Sequence, residues 1–160
     1  MNKDIYVGFS TPKSKLNLFS LAIRLIEKRN FSHCYIVIDG MVYHAAHGMV
    51  HAISYENFLK KNNEIYKYEV NVEDQEFELG RTFLRKSLGI SYGFDQILGL
   101  LIQKIFRKRE PIIQNNSQRM ICSEFSAKFL IACEIDIDIS PDAITPSDLQ
   151  NFLEVNYGKN

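Results

Sequence analysis

The order of hydrophobic periodicities along these 160 residues predicts an α+β fold: a mainly antiparallel sheet from the first half, packed by helices from the second. Three observations carry this. Residues 4–70 hold five short runs of alternating or β-branched character, broken by tight-turn dipeptides. From residue 73 onward the chain carries helical spacing with recognisable starts and stops. No repeat, low-complexity segment or linker divides the chain, so a single domain spanning 1–160 is expected.

The elements follow in order. Residues 4–10 read as a strand with Ile5, Val7 and Phe9 on one face. Pro12 and Ser14 lead into a helix whose apolar stripe is Leu18, Leu21, Ala22, Leu25 and Ile26, closed by Lys28-Arg29-Asn30. Residues 32–38 and 41–46 are strands joined by Asp39-Gly40, a strong two-residue hairpin signal. His47-Gly48 repeats that signal before a strand at 49–53. Ser54 is placed to cap a short helix over 55–61, and 64–70 alternates again. A helix over 73–88 starts on acids and stops at Gly89. Tyr92 begins the next helical pattern, to Phe106, ended by Pro111. A helix runs from about Cys122 to Cys133, with Phe125, Phe129 and Leu130 on one face and Ala127 and Lys128 turned away. Thr145-Pro146-Ser147-Asp148 has the form of a last helix start.

Nineteen basic side chains balance nineteen acidic ones, so no bulk field points to nucleic acid. Cys34, Cys122 and Cys133 form neither an even disulfide framework nor a C-x-x-C metal pair, which suits a reducing compartment. The first residues lack the apolar core of a signal peptide, and the apolar run at 97–106 is too short to span a bilayer. A cytoplasmic protein with no cofactor is the expectation.

The chemistry concentrates at one cysteine and the histidines. A polar loop, 114–118, precedes Cys122, so its thiol falls at a helix N-terminus, where unpaired N–H groups favour a thiolate and can later hold an oxyanion. The plain alternative is a small buried cysteine in a core helix. A two-residue turn at Asp39-Gly40 pairs Ile38 with Met41, Tyr35 with His44 and His33 with Ala46. His33, Tyr35, His44 and Ala46 then share one face, with His33 and His44 as diagonal neighbours. Cys34 points to the other face, which makes it the poor candidate for a nucleophile. A second tight turn at His47-Gly48 sets His51 opposite His44. The plain alternatives are a half-buried strand histidine for His33 and surface residues for His44 and His51, the surface reading being favoured for His51 only.

The order of FSHCYIVIDG, MVYHAAHGMV, GISYGFDQILGLL and RMICSEFSAKFL resembles the circularly permuted branch of the NlpC-type papain-like hydrolases, the YiiX-like amidases or peptidases, related to lecithin–retinol acyltransferase-like proteins. The likeness runs over nearly the whole chain, to the closing SPDAITPSDL. It implies a permuted papain-like fold, Cys122 as nucleophile, His33 as base and His44 at the third-residue position, where many relatives carry an acid. Tyr92 matches the Gly-x-x-Tyr position and implies a residue lining the site; the plain alternative is a core aromatic. Ser123, next to the nucleophile, belongs with Tyr92 among the substrate-binding or oxyanion positions. Glu124 reads as support for the first turn.

The leading expectation is a cysteine hydrolase that cleaves an amide or ester bond through an acyl-enzyme, its substrate a peptide, lipid-like or small molecule. An acyltransferase of the related type would pass the acyl group to an alcohol or amine, and the apolar 97–106 stretch with its basic end would suit a membrane surface, although a core helix with a solvated C-terminus is the favoured reading of that stretch. A three-histidine zinc face of His33, His44 and His51, or a module that kept the fold without activity, are the remaining readings. If His44 is the third residue, its protonation near pH 6 should repel a protonated His33 and steepen the acid limb of activity.

Overall fold

The computed structural model describes residues 3–14, 17–93, 99 and 119–158. Among these residues the chain runs β1 (Lys3–Pro12), α1 (Leu18–Glu27), β2 (His33–Ile38), β3 (Met41–Ala46), β4 (Met49–Ser54), α2 (Tyr55–Lys61), β5 (Asn62–Val72), α3 (Asp74–Ser87), β6 (Ser91–Tyr92), β7 (Arg119–Met120), α4 (Cys122–Ala132) and α5 (Pro146–Tyr157). The fold is mixed α+β, with one seven-stranded sheet in the order β5-β1-β2-β3-β4-β6-β7. Its pairs are antiparallel except β6 with β7. The helical pattern read from Tyr92 to Phe106 lies mostly outside the described residues, but Tyr92 itself sits on a two-residue strand, its N–H donating to the Gly48 carbonyl at 2.9 Å. No helix among the described residues is long and apolar enough to cross a membrane.

Both hairpins turn as the dipeptides dictate. Asp39 and Gly40 have φ of 51° and 73°, and His47 and Gly48 have 51° and 93°. Two successive positive φ values define the turn whose twist matches that of the flanking strands. The registers follow: Ile38 pairs with Met41, and His44 pairs with His51. Ser54 Oγ accepts from the Asn57 N–H at the head of α2, and Thr145 forms a capping box with Asp148 at the head of α5.

Two faces differ from the sequence reading. In α1 the residues turned inward are Ser20, Ile23 and Glu27, while Leu18 and Leu25 are 77% and 69% exposed. Polar anchors set this rotation: the Ser20 and Ser32 hydroxyls meet at 2.5 Å, and the Glu27 carboxylate accepts the Ser147 N–H at 3.1 Å. Ile23 then packs on Ile121, just ahead of α4. In α4 Ala127 is fully buried rather than turned away, because β2, β3, α3 and α5 all pack around this helix. A helix enclosed on most sides has little polar face to show. Lys128 keeps its solvent-side role, paired with Glu124 at 2.6 Å and Asp142 at 3.3 Å, and Ile131 is turned outward as well.

Candidate functional site

α4 begins at Cys122, with Ile121 as its N-cap and no side-chain cap. The first intrahelical acceptor contact is Phe125 N–H to the Ile121 carbonyl at 2.9 Å, so the N–H groups of Cys122, Ser123 and Glu124 head the helix. The Ser123 hydroxyl donates to the Ile144 carbonyl at 2.7 Å. That bond ties the loop before α5 to α4, and it removes the Ser123 side chain as an oxyanion donor, leaving its backbone.

His33, the first residue of β2, comes up beside Cys122, and its Nε2 stands 2.8 Å from Nδ1 of His44 on β3. The diagonal relation derived from the hairpin register thus becomes a direct hydrogen bond. Phe58 of α2 meets the His44 ring edge to face at 5.5 Å between centroids, and His51 lies 4.3 Å away on the other side. Enclosed in this way, His44 is 3% exposed and its Nε2 is a buried atom with no hydrogen-bond partner among the described residues. Burial, reinforced by His33, His51 and His47, pushes the His44 imidazole down to about 2. His44 is therefore neutral near pH 6, and the expected repulsion between two protonated histidines does not arise there.

Cys34 occupies the opposite face of β2, as alternation requires, and α4 packs on that face. Ser126 Oγ donates to Cys34 Sγ at 3.8 Å. The thiol of Cys122 is held well below its ordinary range, first by hydrogen bonding to Cys34, against the cost of burial, and further by His33. Cys34 is driven the other way by burial and by Cys122 itself. Of the two coupled thiols, Cys122 is the one that ionises, because His33 and the head of α4 stand on its side. Cys133, at the far end of α4, is raised to about 12 by burial and by Glu76.

A cavity of about 380 Å³ opens on the His33 side, lined by Phe19, Ile23, His33, His44 and Tyr92 among others. Cys122 is fully buried and is not part of this lining, but His33, which is, touches it. Tyr92 is raised by burial and by the nearby Cys122 and Cys34, so it borders both the cavity and the thiols. His47 also lines the cavity; its turn position is what brings it there. His51 takes a different place, Nδ1 donating to the Met49 carbonyl at 3.2 Å.

The zinc reading loses its geometry. His33 Nε2 and His44 Nδ1 face one another instead of a shared centre, and among the described residues no group of three His, Cys, Asp or Glu side chains could hold a metal ion. Sequence reasoning did not find the contact of Cys34 with Cys122. Its only trace was the alternation that sent Cys34 to the face on which a helix had to pack. Phe58 has no trace at all, since nothing local separates it from Leu59.

No known family model matches the chain, and no curated protein matches it.

Proposed function

We propose that the chain is a cysteine hydrolase of the permuted papain-like kind, cleaving an amide or ester bond through an acyl-enzyme on Cys122. The observation that carries this reading is the row formed by Cys122 at the head of α4, His33 beside it, and His44 at 2.8 Å from the far nitrogen of His33. Nε2 of His33 faces His44, so Nδ1 serves the thiol. Cys122 Sγ, its proton already held on His33 Nδ1, attacks the carbonyl carbon as a thiolate. The N–H groups at the head of α4 receive the oxyanion. His33 returns the proton to the leaving group, then deprotonates the water that releases the acid. His44, neutral, accepts the His33 Nε2–H and so fixes the ring and its tautomer. Acyl transfer to an amine or alcohol uses the same residues. It is favoured by the burial of Cys122, which limits water at the thioester.

The test is competition among thiols. Brief iodoacetamide treatment at neutral pH followed by peptide mapping should label Cys122 ahead of Cys34 and Cys133, and a panel of aryl esters should acylate Cys122. Preferential labelling of Cys34, or no acylation of Cys122 by any ester, sinks the reading. Added amines separate hydrolysis from transfer by the product formed.

A further inference from the structure

We propose that Cys34 is a resolving thiol: once Cys122 is oxidised, Cys34 captures it in a reversible disulfide between β2 and the head of α4, and the nucleophile is withdrawn. The proposal rests on the reading of Cys122 as a reactive thiol. Its geometry comes from the packing of α4 on β2. Ser126 Oγ lies 3.8 Å from Cys34 Sγ. Cys122 precedes Ser126 by four residues on the same helix, so the two side chains lie one above the other on the face that meets β2. Cys34 and Cys122 are both fully buried and belong to one apolar cluster with Ala45, Phe125 and Phe129. Cys133 belongs to the other end of α4, where a Cβ added at Gly80 would come within 2.4 Å of its sulfur. Cys133 lies eleven residue steps on from Cys122, roughly 16 Å along the helix axis, beyond the reach of a disulfide.

The oxidant is a hydroperoxide. The Cys122 thiolate attacks its terminal oxygen, the O–O bond breaks, and water or an alcohol leaves after taking up a proton, giving a sulfenic acid. The Cys34 sulfur then attacks the Cys122 sulfur. The S–S bond forms, the S–O bond breaks, and hydroxide leaves as water with the thiol proton of Cys34. Two thiols supply the two electrons that the peroxide takes up. Hydrogen peroxide is small, and the cavity that His33 and Tyr92 line reaches the histidine that touches Cys122. Burial keeps Cys34 a protonated thiol in the resting protein, so Cys122 alone meets the oxidant first.

The experiment treats the full chain with an excess of hydrogen peroxide, because a sulfinic acid consumes a second equivalent, then quenches with iodoacetamide and maps the unreduced peptides. The expected result is a cross-link between the Cys34 and Cys122 peptides, two hydrogens lighter than their sum, with Cys133 still free. Cys122 alkylation should fall to background and return with dithiothreitol. In Cys34→Ser, and in Cys34→Ala as a second packing variant, the cross-link is gone and Cys122 passes to sulfinic acid, which dithiothreitol does not reverse. Sulfinic acid at Cys122 of the wild type without a cross-link, a cross-link to Cys133, or equal recovery in the Cys34 variants would each overturn the proposal. The untreated sample reports separately on Cys122: slow alkylation there defeats the hydrolase reading, while the peptide mass still answers the disulfide question.

Discussion

The burial of His44 makes a quantitative demand on stability. In the folded chain its imidazole titrates at about 2, against 6.5 for the free side chain. Folding therefore expels a proton from this site below about pH 6.5, and the unfolded chain is the one that binds it. Stability held by neutral His44 is fully present above the unfolded value and declines as the pH falls below it. Between about pH 7.5 and pH 5 the fall runs through roughly 1.5 units below the unfolded value, at about 1.4 kcal/mol per unit, so about 2 kcal/mol is lost. That window is set by the unfolded pKa, so the figure holds for any folded value well below the lower pH. In a domain of this size the loss corresponds to about 4–8 °C in melting temperature. His44→Gln keeps a neutral group that can accept from His33 but binds no proton. Urea titrations of both proteins at the two pH values should show the wild type losing about 2 kcal/mol more than the variant. Equal losses would mean that His44 titrates normally, is not enclosed by Phe58 and His51, and contributes nothing to acid sensitivity.

Other substitutions probe the site and its support. His33→Ala should slow alkylation of Cys122 and cut turnover of any ester that acylates it by about 10²–10⁴, the ordinary cost of losing a general base; turnover within a few-fold of wild type excludes that role. His44→Asp should preserve or raise Cys122 reactivity, because a carboxylate stabilises the His33 imidazolium, whereas His44→Ala should lower it; identical pH–rate profiles of alkylation would make His44 a bystander. The wild-type acid limb should fit a single titration, since His44 stays neutral there, and a steeper limb would contradict its burial. Gly8→Ala should destabilise the protein by roughly 1–3 kcal/mol, measured by urea unfolding, because the new Cβ would stand 2.2 Å from Tyr35 Cζ. Tyr35 cannot easily yield: its ring packs on Phe58 at 4.3 Å and its hydroxyl donates to Glu64 at 2.5 Å. A neutral effect would show that this ring is loosely held.

What the sequence determined by itself was everything that a few neighbouring residues decide. Asp39-Gly40 and His47-Gly48 dictate positive φ at successive positions, and once each turn is set the strands have no freedom of register. His33 and His44 therefore share a face, and His44 meets His51, before any packing is known. Thr145 with Asp148, and Ser54 ahead of α2, likewise start helices through contacts only three residues long. Tertiary structure alone decided which way α1 faces, since its leucine stripe lost to hydroxyl and carboxylate anchors on Ser32 and Ser147. It also decided that α4 is buried on most sides, that Phe58 closes over His44, and that Cys34 lies against Cys122. Each of these joins residues whose separation along the chain leaves no periodicity to read. Their contact follows from how whole faces fit together, and a local pattern holds only half of each face.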